Sequence, residues 1–153
     1  MIPPVRYTPM NAHDLMKMSQ EELDDLFKSK PPGPIPSGEA EGTAIIAPGT
    51  VFSPAIAEMI NIFAWKGKVF DPEHGLLRNR ITLLGFQAII AKVYQGKSWL
   101  DQKDCIVLDY SQTSTIAKHV RDEIREVEPG FYLGKVYWDE KRLINFCLQF
   151  PKS

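Results

Sequence analysis

The hydrophobic pattern changes its period part-way along the chain. Over residues 11–28 apolar side chains recur at helical spacing, and Leu15, Met16, Leu23, Leu26 and Phe27 can share one stripe. Ser19 followed by Glu22 fits a capping box, in which each side chain satisfies a free N–H of the first turn. Because Ser19 interrupts the run, two short helices or one bent helix are expected. Residues 30–38 then hold four prolines and two glycines, which predicts an extended strap carrying the helical arm across one end of a sheet. Residues 39–47 read as a strand centred on Ala44-Ile45-Ile46, broken by Pro48-Gly49. Ser53-Pro54 announces a helix, with Ile56, Met59, Ile60 and Phe63 on one face and Gly67 as its stop.

From Gly75 onward the period falls to two. Residues 76–83, 86–94 and 105–110 are rich in branched and aromatic side chains and are separated by glycine and aspartate breaks, as in an antiparallel meander. Residues 111–120 suit one more short helix, with Ile116, Ala117 and Val120 on one face. Residues 123–127 and 131–138 flank Glu128-Pro129-Gly130, a hairpin turn. In residues 142–150, Ile144, Phe146, Leu148 and Phe150 alternate with Asn145, Cys147 and Gln149. So many consecutive strands leave unpaired edges unless the sheet closes. The expected fold is therefore mainly β: an antiparallel β-barrel of seven or eight strands over residues 38–153, preceded by the helical arm and strap of residues 1–37 and carrying one or two short helices. A length of 153 residues suits a single domain.

Composition narrows the partners. The chain is 44% hydrophobic and 24% charged, which is ordinary for a folded protein, and its formal net charge of −1 offers nucleic acid no electrostatic footprint. Apolar runs such as residues 86–91 fall far short of the ~20 residues that a membrane-spanning helix requires. The opening residues Met1-Ile2-Pro3-Pro4-Val5-Arg6 lack the basic and apolar regions of a secretory signal, so a cytoplasmic location is expected. There Cys105 and Cys147, which show no metal-type spacing, are expected as reduced, core-packed thiols. No phosphate-binding loop, dinucleotide fingerprint, nucleophile elbow or zinc motif is present, so no cofactor is expected. His13, His74 and His119 are scattered, and no metal site is expected from them.

The charged strand around Ile124 is the unusual feature. Asp122 and Glu126 fall on Ile124's side, while Glu123 and Arg125 fall on Val127's. A half-buried strand should show one polar face, so one of these sets is expected to point into the barrel. Arg78 and Arg80 share a face of another strand and would offer an inward guanidinium pair to a carboxylate, phosphate or enolate oxygen. Cross-strand salt bridges on the outer wall are the simpler account of Arg78, Arg80, Glu123 and Arg125. Tyr110 and Tyr132 are further candidates to donate hydrogen bonds to a ligand, or to fill the core with their hydroxyls at its rim.

The order of strands, helix and closing hairpin over residues 38–150 resembles the calycin barrels, the lipocalin and fatty-acid-binding group. The run Asp109-Tyr110-Ser111-Gln112-Thr113-Ser114 with Arg121-Asp122-Glu123-Ile124-Arg125-Glu126-Val127 is also similar to a pattern in uncharacterised bacterial proteins. The calycin resemblance implies an interior that holds a hydrophobic or amphipathic small molecule. Three functions follow. In the first, Ile45, Ile90, Leu108, Ile124, Ile144, Phe146 and Leu148 form an apolar inner wall, and Arg78, Arg80 or Arg125 holds an anionic head group. In the second, a cofactor-independent isomerase, cyclase or dehydratase uses Asp109 or Glu123 as general base and an Arg or Tyr to stabilise an enolate. In the third, the N-terminal helix and strap dock on a protein partner. A homodimer is compatible with each.

Overall fold

A computed structural model of the chain describes residues 9–50, 53–54, 68–79, 90–113 and 117–151. The helix expected over residues 53–67 lies outside this set apart from its first two residues. So do Arg80, residues 81–83 of one expected strand and residues 86–89 of the next.

Two helices open the described chain. α1 (Ala12–Met16) starts at Asn11, which exchanges capping-box hydrogen bonds with Asp14. α2 (Gln20–Lys28) starts at Ser19, whose side chain accepts from Glu22 N–H while Glu22 reaches back to the cap. The second capping box is the one legible in the sequence, and the break it imposes produces two helices rather than a single bent one.

Eight strands follow: β1 (Gly38–Ile45), β2 (Lys68–Asp71), β3 (Leu76–Asn79), β4 (Ile90–Lys97), β5 (Asp104–Asp109), β6 (Val120–Glu128), β7 (Phe131–Trp138) and β8 (Lys141–Gln149). Each pairs antiparallel with the next, and β1 closes the barrel by dividing itself between two partners. Its first residues pair with β2 (Gly38 opposite Phe70) and its later ones with β8 (Gly42 opposite Leu148). Closure removes both sheet edges.

The sequence reading misses β2, which is only four residues long. It also expects a helix over residues 111–120. The structure instead has turns at residues 111–113 and 117–119, and β6 already begins at Val120. The Glu128-Pro129-Gly130 turn forms as expected, with Gly130 at φ +74°.

Both faces of the barrel wall are buried over much of its circumference. The inner cluster includes Phe70, Leu108, Tyr110, Ile124, Val136, Ile144, Phe146 and Leu148. Gly134 lies opposite Phe146 in the ladder, and a Cβ there would sit 2.2 Å from the Phe146 ring, so the glycine is what lets that ring lie across the interior. A second cluster lies outside the wall, where Leu15, Leu23 and Phe27 of the arm cover Ile45, Cys105, Val107, Leu133 and Cys147. Burial pushes the thiols of Cys105 and Cys147 up to about 12 and about 11, and both are free and inert.

The strap behaves as its proline content suggests. Glu126 N–H donates to Pro32 O (3.1 Å), the Tyr132 hydroxyl donates to Pro34 O (2.7 Å), and Ile35 packs against the inner cluster. The strap therefore crosses the end of the barrel where the β6–β7 hairpin lies. Gly33 there has φ +74°, and a Cβ on it would come within 2.6 Å of Glu126 Cβ, so the crossing needs glycine on both counts.

Candidate functional site

Strand alternation sends Lys68 and Phe70 of β2, Ile106 and Leu108 of β5, and Asp122 and Ile124 of β6 to the inside. Leu108 and Asp122 are direct ladder partners, and Tyr110 continues the inward face one residue beyond β5. Lys68 begins β2, Tyr110 follows the end of β5 and Asp122 is near the start of β6. All three thus lie toward the end of the barrel opposite the strap, where they meet. Lys68 Nζ donates to Tyr110 Oη (2.9 Å) and lies 3.5 Å from Asp122 Oδ2. The Tyr110 hydroxyl donates to the same Oδ2 at 3.4 Å, a long bond. None of the three is more than 1% exposed. The Lys68 ammonium also stands 5.6 Å from the ring centroids of Tyr110 and Phe146, within cation–π range.

The other carboxylate oxygen is the anomaly. Asp122 Oδ1 is buried and accepts no hydrogen bond among the described residues. Burial dominates the electrostatics of the pair: it pushes Asp122 up to about 6 against the opposing pull of Lys68 and Tyr110, with the nearby Glu123 charge adding to the rise. Burial likewise holds Lys68 below the usual lysine range in spite of Asp122. Asp122 thus combines a carboxyl raised by burial with a neighbouring phenol and a neighbouring amine inside an apolar barrel.

The residues singled out in the sequence fall elsewhere. Asp109 is on the outer wall, where it accepts from Tyr94 Oη (2.9 Å) and from Ser111 N and Oγ (2.9 and 2.7 Å). Burial works to raise its carboxyl, but these hydrogen bonds outweigh it and hold the group below its ordinary value. Glu123 is fully buried yet also points outward, beneath the β4–β5 turn. It accepts from Ser98 Oγ (2.6 Å), Trp99 N (2.8 Å) and Arg121 Nε and Nη2 (3.2 and 3.0 Å). Neither carboxylate faces the interior.

Arg125 does not face it either. It makes a bidentate pair with Asp101 (2.8 Å twice) and donates to the carbonyls of Phe27, Lys103 and Asp104, tying α2 and the β4–β5 turn to the outer wall. Arg78 is exposed beside a shallow outer recess of about 130 Å³ lined by Val69, Leu76 and Ile90. Two of the three arginines expected inside, Arg78 and Arg125, thus lie on the outer wall, and Arg80 lies outside the described residues; among the described residues the interior cation is Lys68, 3.5 Å from Asp122 Oδ2. Of the expected inner wall, Leu108, Ile124, Ile144, Phe146 and Leu148 are inside, whereas Ile45 lies under the arm and Ile90 on the outer wall. Tyr110 and Tyr132 both point inward, at opposite ends, so the structure does not bring them together.

Asp122 was legible in part, because it alternates with Ile124. Lys68 gave no signal, since a four-residue strand has too little alternation to identify its inner face. Asp71, Glu73 and His74 bring ligand-type atoms within 4.8 Å of one another at the exposed β2–β3 turn, an arrangement common among solvent-facing acidic groups. No helix among the described residues is long and apolar enough to cross a membrane.

The chain matches no protein-family model and no curated protein sequence. A crystal structure of a protein from Thermomonospora curvata is similar in fold, with a TM-score of 0.60 over 88% of this chain and 89% of that one. The two sequences are 15% identical, and the likeness concerns the fold alone.

Proposed function

We propose that this protein is a binding barrel for a small amphipathic molecule, whose polar group meets the Lys68–Tyr110–Asp122 cluster while its apolar part lies among the inner-wall side chains. The observation that carries this reading is Asp122 Oδ1, a buried oxygen with no hydrogen-bond partner among the described residues. Such a group costs about 1–3 kcal/mol unless something satisfies it. The arm supports the same reading over protein docking. Leu15, Leu23 and Phe27 are fully buried against the barrel, which leaves Met16 as the large exposed hydrophobic of the two helices.

The test is native mass spectrometry of freshly purified protein, followed by denaturation and extraction. A discrete mass above that of the chain, released as an amphipathic molecule, is the expected result. A protein that carries nothing and takes up no member of a panel of alcohols, fatty acids and sterols would overturn the reading.

A second reading, proton transfer without a cofactor, is favoured by one observation: Asp122 is poised at about 6 beside the Tyr110 hydroxyl. Incubating the extracted molecule with protein in deuterium oxide separates the two. A pure binder returns it unlabelled. An enzyme places deuterium on carbon and loses that exchange in Asp122→Asn.

A further inference from the structure

We infer that the group presented to Asp122 is an uncharged hydroxyl, so that the barrel interior selects alcohols or phenols over carboxylates. This inference rests on the interior-binding reading above and specifies its ligand class. The orphan Oδ1 is an acceptor, so its partner must bring a hydrogen; an ionised carboxylate has none to give. A carboxylate would also stand beside Asp122 itself, whose charge already faces the interior, and the fixed cation that could compensate, Lys68, is engaged with Tyr110 at 2.9 Å and with Asp122 Oδ2 at 3.5 Å.

An amine fails for the converse reason. It would place a second desolvated cation beside the buried Lys68 ammonium, which already lies 3.5 Å from the other oxygen of the same carboxylate. A neutral hydroxyl avoids both conflicts. It donates one hydrogen to one orphan oxygen and leaves the Lys68–Asp122 charge balance unchanged. The aromatic rings of Tyr110 and Phe146, 5.6 Å from the ammonium, make the immediate surroundings of that hydroxyl apolar.

The test uses matched amphiphiles that differ only at the head: 1-decanol and decanoate, added to isotope-labelled wild-type protein near neutral pH. Amide shifts along β5 and β6 report on site and affinity. A hydrogen bond to a charged acceptor corresponds to about tenfold to a hundredfold in affinity, so 1-decanol is expected to bind at least about tenfold more tightly than decanoate, with the largest shifts at Leu108, Asp122 and Ile124. Decanoate binding at those residues as tightly as the alcohol, or more so, would overturn this inference while leaving interior binding intact. If neither ligand moves those amides, interior binding itself fails, and the inference with it. Asp122→Asn, in protein verified as folded by circular dichroism, should reduce the preference for the alcohol to less than about threefold. Retention of the full preference would overturn the role given to Asp122.

Discussion

Replacing Lys68, Tyr110 and Asp122 together by Met, Phe and Val should stabilise the barrel. Burying each ion carries an effective penalty of several kcal/mol. The Lys68–Asp122 attraction at 3.5 Å offsets about 5 kcal/mol of that at an effective dielectric of ~20. Geometry withholds the rest: one bond within the cluster is stretched to 3.4 Å, and Asp122 Oδ1 lacks a partner, at a further cost of about 1–3 kcal/mol. The balance is unfavourable, and swapping a buried ionic cluster for apolar side chains of similar volume typically gains about 1–4 kcal/mol. Single substitutions should behave in the opposite way. Lys68→Met or Asp122→Val strands a buried charge and should lose about 3–5 kcal/mol. The measurement is urea unfolding followed by tryptophan fluorescence, read from the midpoint at unchanged slope. A triple variant less stable than wild type by more than about 2 kcal/mol would show that the cluster holds the fold together, and the case for a functional cluster would collapse.

Four further outcomes are expected. Asp122 should make stability fall as pH rises from about 4 to about 6: its folded-state value of about 6 lies above the ~3.9 of the unfolded chain, so the native protein holds the proton that the unfolded one has lost, up to about 3 kcal/mol, and urea titrations of wild type against Asp122→Asn should show that slope in wild type alone. Lys135 acts at the other end of the scale. Burial lowers it to about 8 despite Asp24, so its contribution to stability should rise between about pH 8 and about pH 10, a trend that Lys135→Met would abolish. Arg125→Met leaves Asp101 and the Phe27 carbonyl without their donor and should cost about 3–5 kcal/mol, with amide exchange accelerating first in α2; unchanged protection there would refute the anchor role. Gly134→Ala drives a methyl into the Phe146 ring and should cost about 1–3 kcal/mol, most of it recovered in the double variant with Phe146→Leu; additive losses in the cycle would refute the contact.

Local signals in the sequence were reliable where one face of an element meets water. The Ser19–Glu22 box sets where α2 begins, and the Glu128-Pro129-Gly130 turn joins β6 to β7, of which β7 spans the expected residues 131–138 while β6 begins at Val120, three residues before the expected strand. The strap is legible for the same reason: four prolines exclude every regular alternative. Legibility fails at β6. Alternation correctly sorts Asp122 with Ile124, and Glu123 with Arg125, but it cannot say which set is inside, because both faces of this strand are buried: one by the barrel interior, the other by α2 and the β4–β5 turn. The information that decides it comes from residues far away in sequence, namely Phe27, Ser98 and Asp101. The candidate site was lost with it, since an outward Arg125 withdraws one of the expected cations and an unrecognised β2 hides Lys68.

The buried charges of this molecule are satisfied to different degrees on the two sides of the barrel wall. On the outer wall the buried ionic side chains among the described residues each have at least two hydrogen-bond partners. Glu123 takes four hydrogen bonds, from Ser98, Trp99 and twice from Arg121, and Arg125 gives five. Lys135 is shared between Asp24 at 2.8 Å and Asn145 at 2.6 Å. These groups join the arm and the turn to the barrel, and their geometry is what a structural role demands. Inside the barrel the standard is lower: the carboxylate of Asp122 has one oxygen held by long contacts and one by nothing within the described residues. A chain able to satisfy charges so fully on one side of a strand has no physical obstacle to doing so on the other, or to placing valine there. The binding reading proposed above takes this incomplete shell as one that a bound molecule completes, and it fails if a variant that fills the interior with apolar side chains loses stability.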